Sequence, residues 1–142
     1  MNRALALASV LTRKIGKHTI IYVPSLTIGS ATTHARMFQT ITPYAVMNNL
    51  QIDSRYAVKD AEGVSSDILN HREGVILMVW EHKNIPGIAK KLSGTPDKIP
   101  AEWAGSDFDS IWKITIQHKN DHQGKFHTID KEGIAPSDEC RF

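Results

Sequence analysis

The chain has 142 residues, enough for one domain with a real hydrophobic core, and its 41% hydrophobic and 23% charged residues are those of an ordinary globular protein. A formal charge of +2 gives no electrostatic footprint for nucleic acid or for a membrane surface, although it suits a small anionic ligand. The single cysteine, Cys140, excludes an intramolecular disulfide and leaves the redox compartment open, and no apolar stretch approaches membrane-spanning length.

Met1-Asn2-Arg3 followed by the apolar residues 4–11 has the outline of a short signal peptide. Thr12-Arg13-Lys14 follow at once with no small-residue cleavage site, and Leu5, Ala8, Leu11 and Ile15 share one helical face. The favoured reading is therefore an amphipathic helix over Asn2–Ile15, stopped by Gly16. The β-branched run 19–23 predicts a short core strand ended by Pro24. After a Ser-, Thr- and Gly-rich loop, Thr32 or Thr33 can cap a helix over 34–48. Met37, Ile41, Tyr44 and Val46 form its expected buried face, and Pro43 predicts a kink or a break. Residues 50–53 read as a short strand. Asp60 caps a helix over 61–71 with Val64, Ile68 and Leu69 inward.

The uninterrupted apolar run 75–80, flanked by Gly74 and a polar turn, predicts a strand buried on both faces at the centre of a parallel sheet. A helix over Ile85–Leu92 follows, with Pro86 in its first turn, where proline is tolerated. Residues 93–104 are a Pro- and Gly-bearing connection. In 111–117, Trp112, Ile114 and Ile116 alternate with Lys113, Thr115 and Gln117, as in a half-buried strand. Asn120, Asp121 and Gly124 make a turn, and 125–129 returns as an edge hairpin strand. The stretch 132–142 reads as a loose tail, which leaves one domain over 1–131. Strands alternating with helices, then a hairpin, give an α/β fold with a mostly parallel, mixed sheet.

Ligands of such sheets sit beyond the carboxyl ends of the strands. Two polar segments fall there: the stretch from Ser25 through Thr40, which contains Arg36, and Glu81-His82. An arginine at such a rim can grip a phosphate bidentately, and a histidine can donate to a phosphoryl oxygen or act as acid or base. The same residues also suit a solvated helix surface and a polar strand exit. His118, His122 and His127, with Asp121 nearby, fall across a hairpin turn and read as solvated, so no metal is expected there. Lys83, Lys90, Lys91 and Lys98 form either a solvated helix face or a patch that steers an anion. Neither nucleotide-binding glycine fingerprint is present.

Ser30-Ala31-Thr32-Thr33-His34-Ala35-Arg36-Met37-Phe38-Gln39-Thr40-Ile41 resembles the S…RxxQT segment of the histidine phosphatase superfamily, the phosphoglycerate-mutase-like phosphatases. Trp80-Glu81-His82-Lys83-Asn84-Ile85-Pro86 resembles that family's second-histidine segment. Phe108-Asp109-Ser110-Ile111-Trp112 resembles the strand after it, and Asn2-Arg3-Ala4-Leu5-Ala6-Leu7 the family's first helix. The resemblance implies a three-layer α/β sandwich and a phosphate pocket of two histidines and two arginines. Within it, Arg36 and His82 would bind phosphoryl oxygens, and His82 with Glu81 would form the catalytic pair. Asp60 and Glu62 are further candidates for the general acid. Lys83 stands where one branch of the family carries an aspartate.

The family's nucleophile is the histidine of an Arg-His-Gly strand that precedes the first helix. No Arg-His dipeptide occurs in this sequence; His71-Arg72 has the reverse order. Without a nucleophile no phosphohistidine can form. The strand would lie in the middle of the family's sheet, and its loss would expose backbone groups at about 1–3 kcal/mol each if buried. A truncated product is the favoured explanation, ahead of strand rearrangement or a strand supplied by a partner chain in an oligomer. The implied function is phosphomonoester hydrolysis in a longer form, with no cofactor and in the cytoplasm. The alternative is a non-catalytic phosphate-binding or protein-interaction domain. In both cases the expected partner is a phosphorylated small molecule or phosphate, with no nucleic acid or membrane involved.

Overall fold

The computed structural model describes residues 2–15, 19–26, 35–71, 74–107, 110–117 and 123–131. Helix α1, Asn2–Ile15, forms as expected and ends on Arg13 and Lys14, whose charges suit the carbonyl end of a helix. Its buried face is turned from the expected one. Leu7, Ala8, Val10 and Leu11 are buried, whereas Leu5 is 52% exposed. Strand β1, Thr19–Tyr22, comes next, then helix α2, Ala35–Asn48, which runs through Pro43 without a break. The missing Pro43 N–H would have met the carbonyl of Gln39, an exposed residue, where water can take its place. Ile41, Tyr44 and Ala45 form the buried stripe of α2, while the expected Val46 is 74% exposed. The helix stops because Asn49 takes a left-handed φ of 53° and Leu50 N–H returns to the Ala45 carbonyl at 2.9 Å.

Strand β2, Ile52–Asp53, precedes helix α3, Ala61–Asn70. Asp60 caps α3 as expected, its side chain accepting from Gly63 N–H at 2.9 Å. Gly74, at φ 99°, then launches strand β3, Val75–Met78. Helix α4, Ile85–Leu92, and a single 3-10 turn, Pro96–Lys98, lead to strands β4, Ser110–Gln117, and β5, Gln123–Lys131.

Three strands make an open parallel sheet in the order β2-β1-β3. Tyr22 pairs with Asp53 on one side and with Met78 on the other. The centre of the sheet is therefore β1, and the expected central strand, β3, is paired on one flank only among the described residues. Val75 is 41% exposed. The apolar run misled because it records what covers the two faces of a strand, not what pairs with its edges. Ile76 and Met78 pack into one core, and Leu77 and Val79 into the other. The gap expected inside the sheet is absent from the described part, since β1 has a partner on each side. The hairpin does not join this sheet as expected. Strands β4 and β5 form a separate antiparallel pair, with a register irregularity between Lys113 and Ile114.

Alternation along β1 builds the two cores. Ile21 packs with α1 and α2, while Tyr22 packs with α3 and α4. Ile114 and Ile116 of the hairpin pack against the second core. On the first face, Tyr44 donates to the Thr19 hydroxyl at 3.1 Å, and Asn48 donates to the Thr12 hydroxyl at 2.9 Å, which locks α1 to α2. Among the described residues no helix is long and apolar enough to cross a membrane.

One buried side chain is a defect in this packing. Ser65 Oγ, on the inner side of α3, has no hydrogen-bond partner among the described residues. A buried hydroxyl without a partner costs free energy, and alanine is the better helix former. Ser65→Ala is expected to raise unfolding stability by about 0.5–1 kcal/mol in urea denaturation. A loss of more than about 1 kcal/mol would mean that the hydroxyl is bonded after all.

Candidate functional site

The connections out of β1 and β3 part to opposite faces. The chain after β1 continues into α2, which packs on the Ile21 face, and the chain after β3 continues into α4, which packs on the Tyr22 face. Adjacent parallel strands whose exits diverge leave a crevice between their carboxyl ends, the topological switch point at which open α/β sheets bind ligands. Val23, Pro24 and Ser25 leave β1 there. Trp80, Glu81 and His82 follow β3.

Trp80 is the anchor of this second segment. It is buried, and its indole N–H donates to the Val58 carbonyl at 2.8 Å. Glu81 is half-buried, and its carbonyl accepts from Asn84 N–H at 2.9 Å and from Ile85 N–H at 3.3 Å, closing the turn that starts α4. His82 is half-buried in that turn and looks into a hollow of about 310 Å³ lined by Lys83, Pro86, Ala101, Glu102 and Trp103. The loop opposite approaches closely. A Cβ added to Gly105 would lie 3.3 Å from His82 Nε2, so this position favours glycine. Trp103 is held on two counts. Its indole N–H donates to the Asp107 carbonyl at 3.0 Å, and its ring lies 4.8 Å from that of Trp112, tilted by 31°.

Arg36 stands in the first turn of α2 and is exposed. Because α2 carries the chain from the carboxyl end of β1 back to the start of the parallel β2, Arg36 belongs to the same rim as His82. It is not among the described residues that line the hollow, so the structure gives the two a common rim but not a common cavity. Of the proposed acids, Asp60 is committed to its cap. Glu62 pairs with Lys91 at 2.8 Å, and that hydrogen bond holds its carboxyl below the usual range, which suits an acceptor better than a proton donor. The Glu62 contact also occupies one lysine of the expected basic patch. Lys83, Lys90 and Lys98 are exposed. His118, His122 and Asp121, the side chain of His127, residues 27–34 and the tail 132–142 lie outside what the structure describes. Among the described residues no group of three or more His, Cys, Asp or Glu could hold a metal.

Sequence reasoning missed Glu102 and Trp103, which lay in a stretch read only as a connection. A tryptophan between Pro100 and Gly105 was the available signal. It also missed a polar network beneath the rim. Tyr22 donates its hydroxyl proton to Asp67 at 2.5 Å, and His71 Nε2 lies 2.9 Å from the Tyr22 hydroxyl oxygen. A carboxylate only accepts, so the Tyr22 proton goes to Asp67 and His71 Nε2–H is the donor to Tyr22. Arg55 then bridges Asp67, at 3.1 Å, and Asp53, at 2.7 Å. The arginine holds the Asp53 carboxyl below its ordinary 3.8, so this contribution to stability is present above that pH and fades as pH falls below it. Burial first, and the hydrogen bond to Asp67 second, push the Tyr22 hydroxyl well above its ordinary 10.0.

The sign follows for alkaline conditions. An unfolded tyrosine ionises near 10 while the folded one stays neutral, so the stability due to Tyr22 is complete below that pH and is lost as pH rises through it. Tyr22→Phe is expected to cost about 1–3 kcal/mol near neutrality, because Asp67 and His71 lose a partner. The gap between wild type and variant should narrow from about pH 9.5 to pH 11.5 in urea midpoints. A gap constant with pH would mean that the hydroxyl is not held neutral by the fold. Comparison with protein family models, with curated proteins and with solved structures finds no match for this chain.

Proposed function

We propose that the chain is a phosphate-recognising domain of the histidine-phosphatase type, a three-layer phosphoglycerate-mutase-like sandwich whose anion site is the rim carrying Arg36 and His82. The observation that supports this most is the switch point. β1 and β3 are parallel neighbours in register, their exits diverge to opposite faces, and each exit leads to one of the two residues. Helices packed on both faces of the sheet agree with the three-layer architecture. In this reading the Arg36 guanidinium takes two equatorial phosphoryl oxygens and the His82 imidazole a third, as donors that neutralise the anion. Glu81 holds the turn that presents His82, and the ligand is a phosphorylated small molecule.

Hydrolysis belongs, in the same reading, to a form that also carries an Arg-His-Gly strand. The flank of β3 that has no strand partner among the described residues, beside the His82 turn, offers a place for such a strand to join. Residues 1–142 alone supply half a cradle and no nucleophile. They act as a binding module, the second reading, until that strand is present.

Inorganic phosphate titrated into the purified protein should shift the His82 ring protons in a saturable way, and Arg36→Ala should weaken the binding by about tenfold, the usual worth of a charge-assisted bidentate contact. Absence of any saturable shift would sink the reading. In an assay with a generic aryl phosphate the 142-residue chain should give no turnover that an Arg36→Ala, His82→Ala double variant loses. Robust turnover abolished in that variant would mean that another nucleophile serves.

A further inference from the structure

We propose that the hollow beside His82 selects phosphomonoesters whose alcohol portion is a planar, uncharged aromatic ring, with Trp103 as the stacking surface. This inference rests on the phosphate-binding reading and specifies the other half of the ligand.

The argument starts from the rigidity of Trp103. A tryptophan in a loop between a proline and a glycine would ordinarily be free to rotate, and ordering it on binding would consume affinity. Here the ring is ordered in advance. The Asp107 carbonyl fixes its N–H edge, and Trp112, on strand β4, covers one face. The ring also lines the hollow that contains His82 and Lys83, so an aromatic surface held at its edge and by a neighbouring ring borders the same space as a histidine and a lysine. The closeness of Gly105 to His82 sets the distance scale, since a single Cβ added there would lie 3.3 Å from His82 Nε2. A ligand whose phosphate is held at the rim by Arg36 and His82, with its ester group turned into the hollow, meets Trp103 with whatever the phosphate is esterified to. At about 310 Å³ the hollow is at the lower end of small-molecule clefts, the size of one ring rather than of a polymer segment.

Glu102 completes the selection. It is exposed and is one of the residues that line the same space. An aromatic group that carried its own carboxylate or a second phosphate would be repelled there, while an uncharged ring would not. The hollow thus brings together a histidine and a lysine, an aromatic ring and an acidic side chain.

The test is binding to the full chain, followed by the His82 ring protons and the Trp103 indole proton, with three probes: phenyl phosphate, ethyl phosphate and 4-carboxyphenyl phosphate. Phenyl phosphate is expected to bind about three- to tenfold more tightly than ethyl phosphate, in the range of an aromatic stacking contact, and to move both sets of resonances. Trp103→Phe should keep most of this ratio, and Trp103→Leu should bring it to about one. Thermal melts and the spectrum of Trp112 show whether either variant keeps the fold. Glu102→Gln should improve 4-carboxyphenyl phosphate relative to phenyl phosphate. Equal affinity for phenyl and ethyl phosphate, with both displaced by inorganic phosphate, overturns the aromatic selection while leaving the phosphate site standing. A ratio that survives in a folded Trp103→Leu variant overturns the role of Trp103. No binding of any of these esters or of inorganic phosphate overturns the inference and the underlying reading together.

Discussion

Strand β1 is four residues long, yet both flanks and both faces of it are occupied. Its backbone groups bond to β2 on one side and β3 on the other, and its side chains alternate between the two cores. Ile21 and Tyr22, adjacent in sequence, are buried in opposite layers. Every helix described is positioned by reference to this strand, because α1 and α2 pack where Ile21 points, and α3 and α4 where Tyr22 points. A shift of one residue in its register would exchange an isoleucine for a tyrosine in each core and strand the Tyr22 hydroxyl away from Asp67. The network from His71 to Asp53 therefore does more than satisfy polar atoms. It records the correct register in hydrogen bonds that only one alignment can make.

Much of this architecture was legible in the residues. The helix over Asn2–Ile15, the helix over Ile85–Leu92 with its early proline and the Asp60 cap follow from local chemistry, which acts over three or four residues and is written where it acts. What could not be read is what depends on partners distant in sequence. Leu5 and Val46 fit a helical stripe but lie outside it, because the direction in which a helix faces is set by the neighbour it meets. The apolar run of β3 announced a strand buried on both faces, whereas Val75 is exposed and Ile76, Leu77 and Met78 are only half-buried, and it was silent about the flank. Pro43 argued for a break, but an exposed carbonyl one turn earlier removes most of the penalty, and exposure is a tertiary property.

The rim was legible in part for the same reason. Arg36 and His82 follow strands, and strand order then decides that they share an edge. Nothing local says that the loop after the 3-10 turn folds back over His82, since that requires Trp103 to find Trp112 on the hairpin, nine residues further along the chain and in a different sheet. Glu102 and Trp103 enter the cavity as a consequence of that stacking. The network under Tyr22 was hidden likewise, because its members come from β1, from β2 and the segment after it, and from α3 and its C-terminal cap.

The free flank of β3 bears on how the protein behaves in a crowded solution. Among the described residues no strand pairs with that flank, and such an edge with an exposed Val75 is the kind of template on which chains accrete into extended sheets. Two features restrain it. The strand offers only four residues, too few for a durable intermolecular ladder, and Gly74 turns the backbone through a left-handed conformation at its head. At its far end the polar and charged run Glu81-His82-Lys83 follows within three residues of Met78, and such residues act as gatekeepers against stacking. The polar run that follows β3 thus also bounds an edge of the sheet.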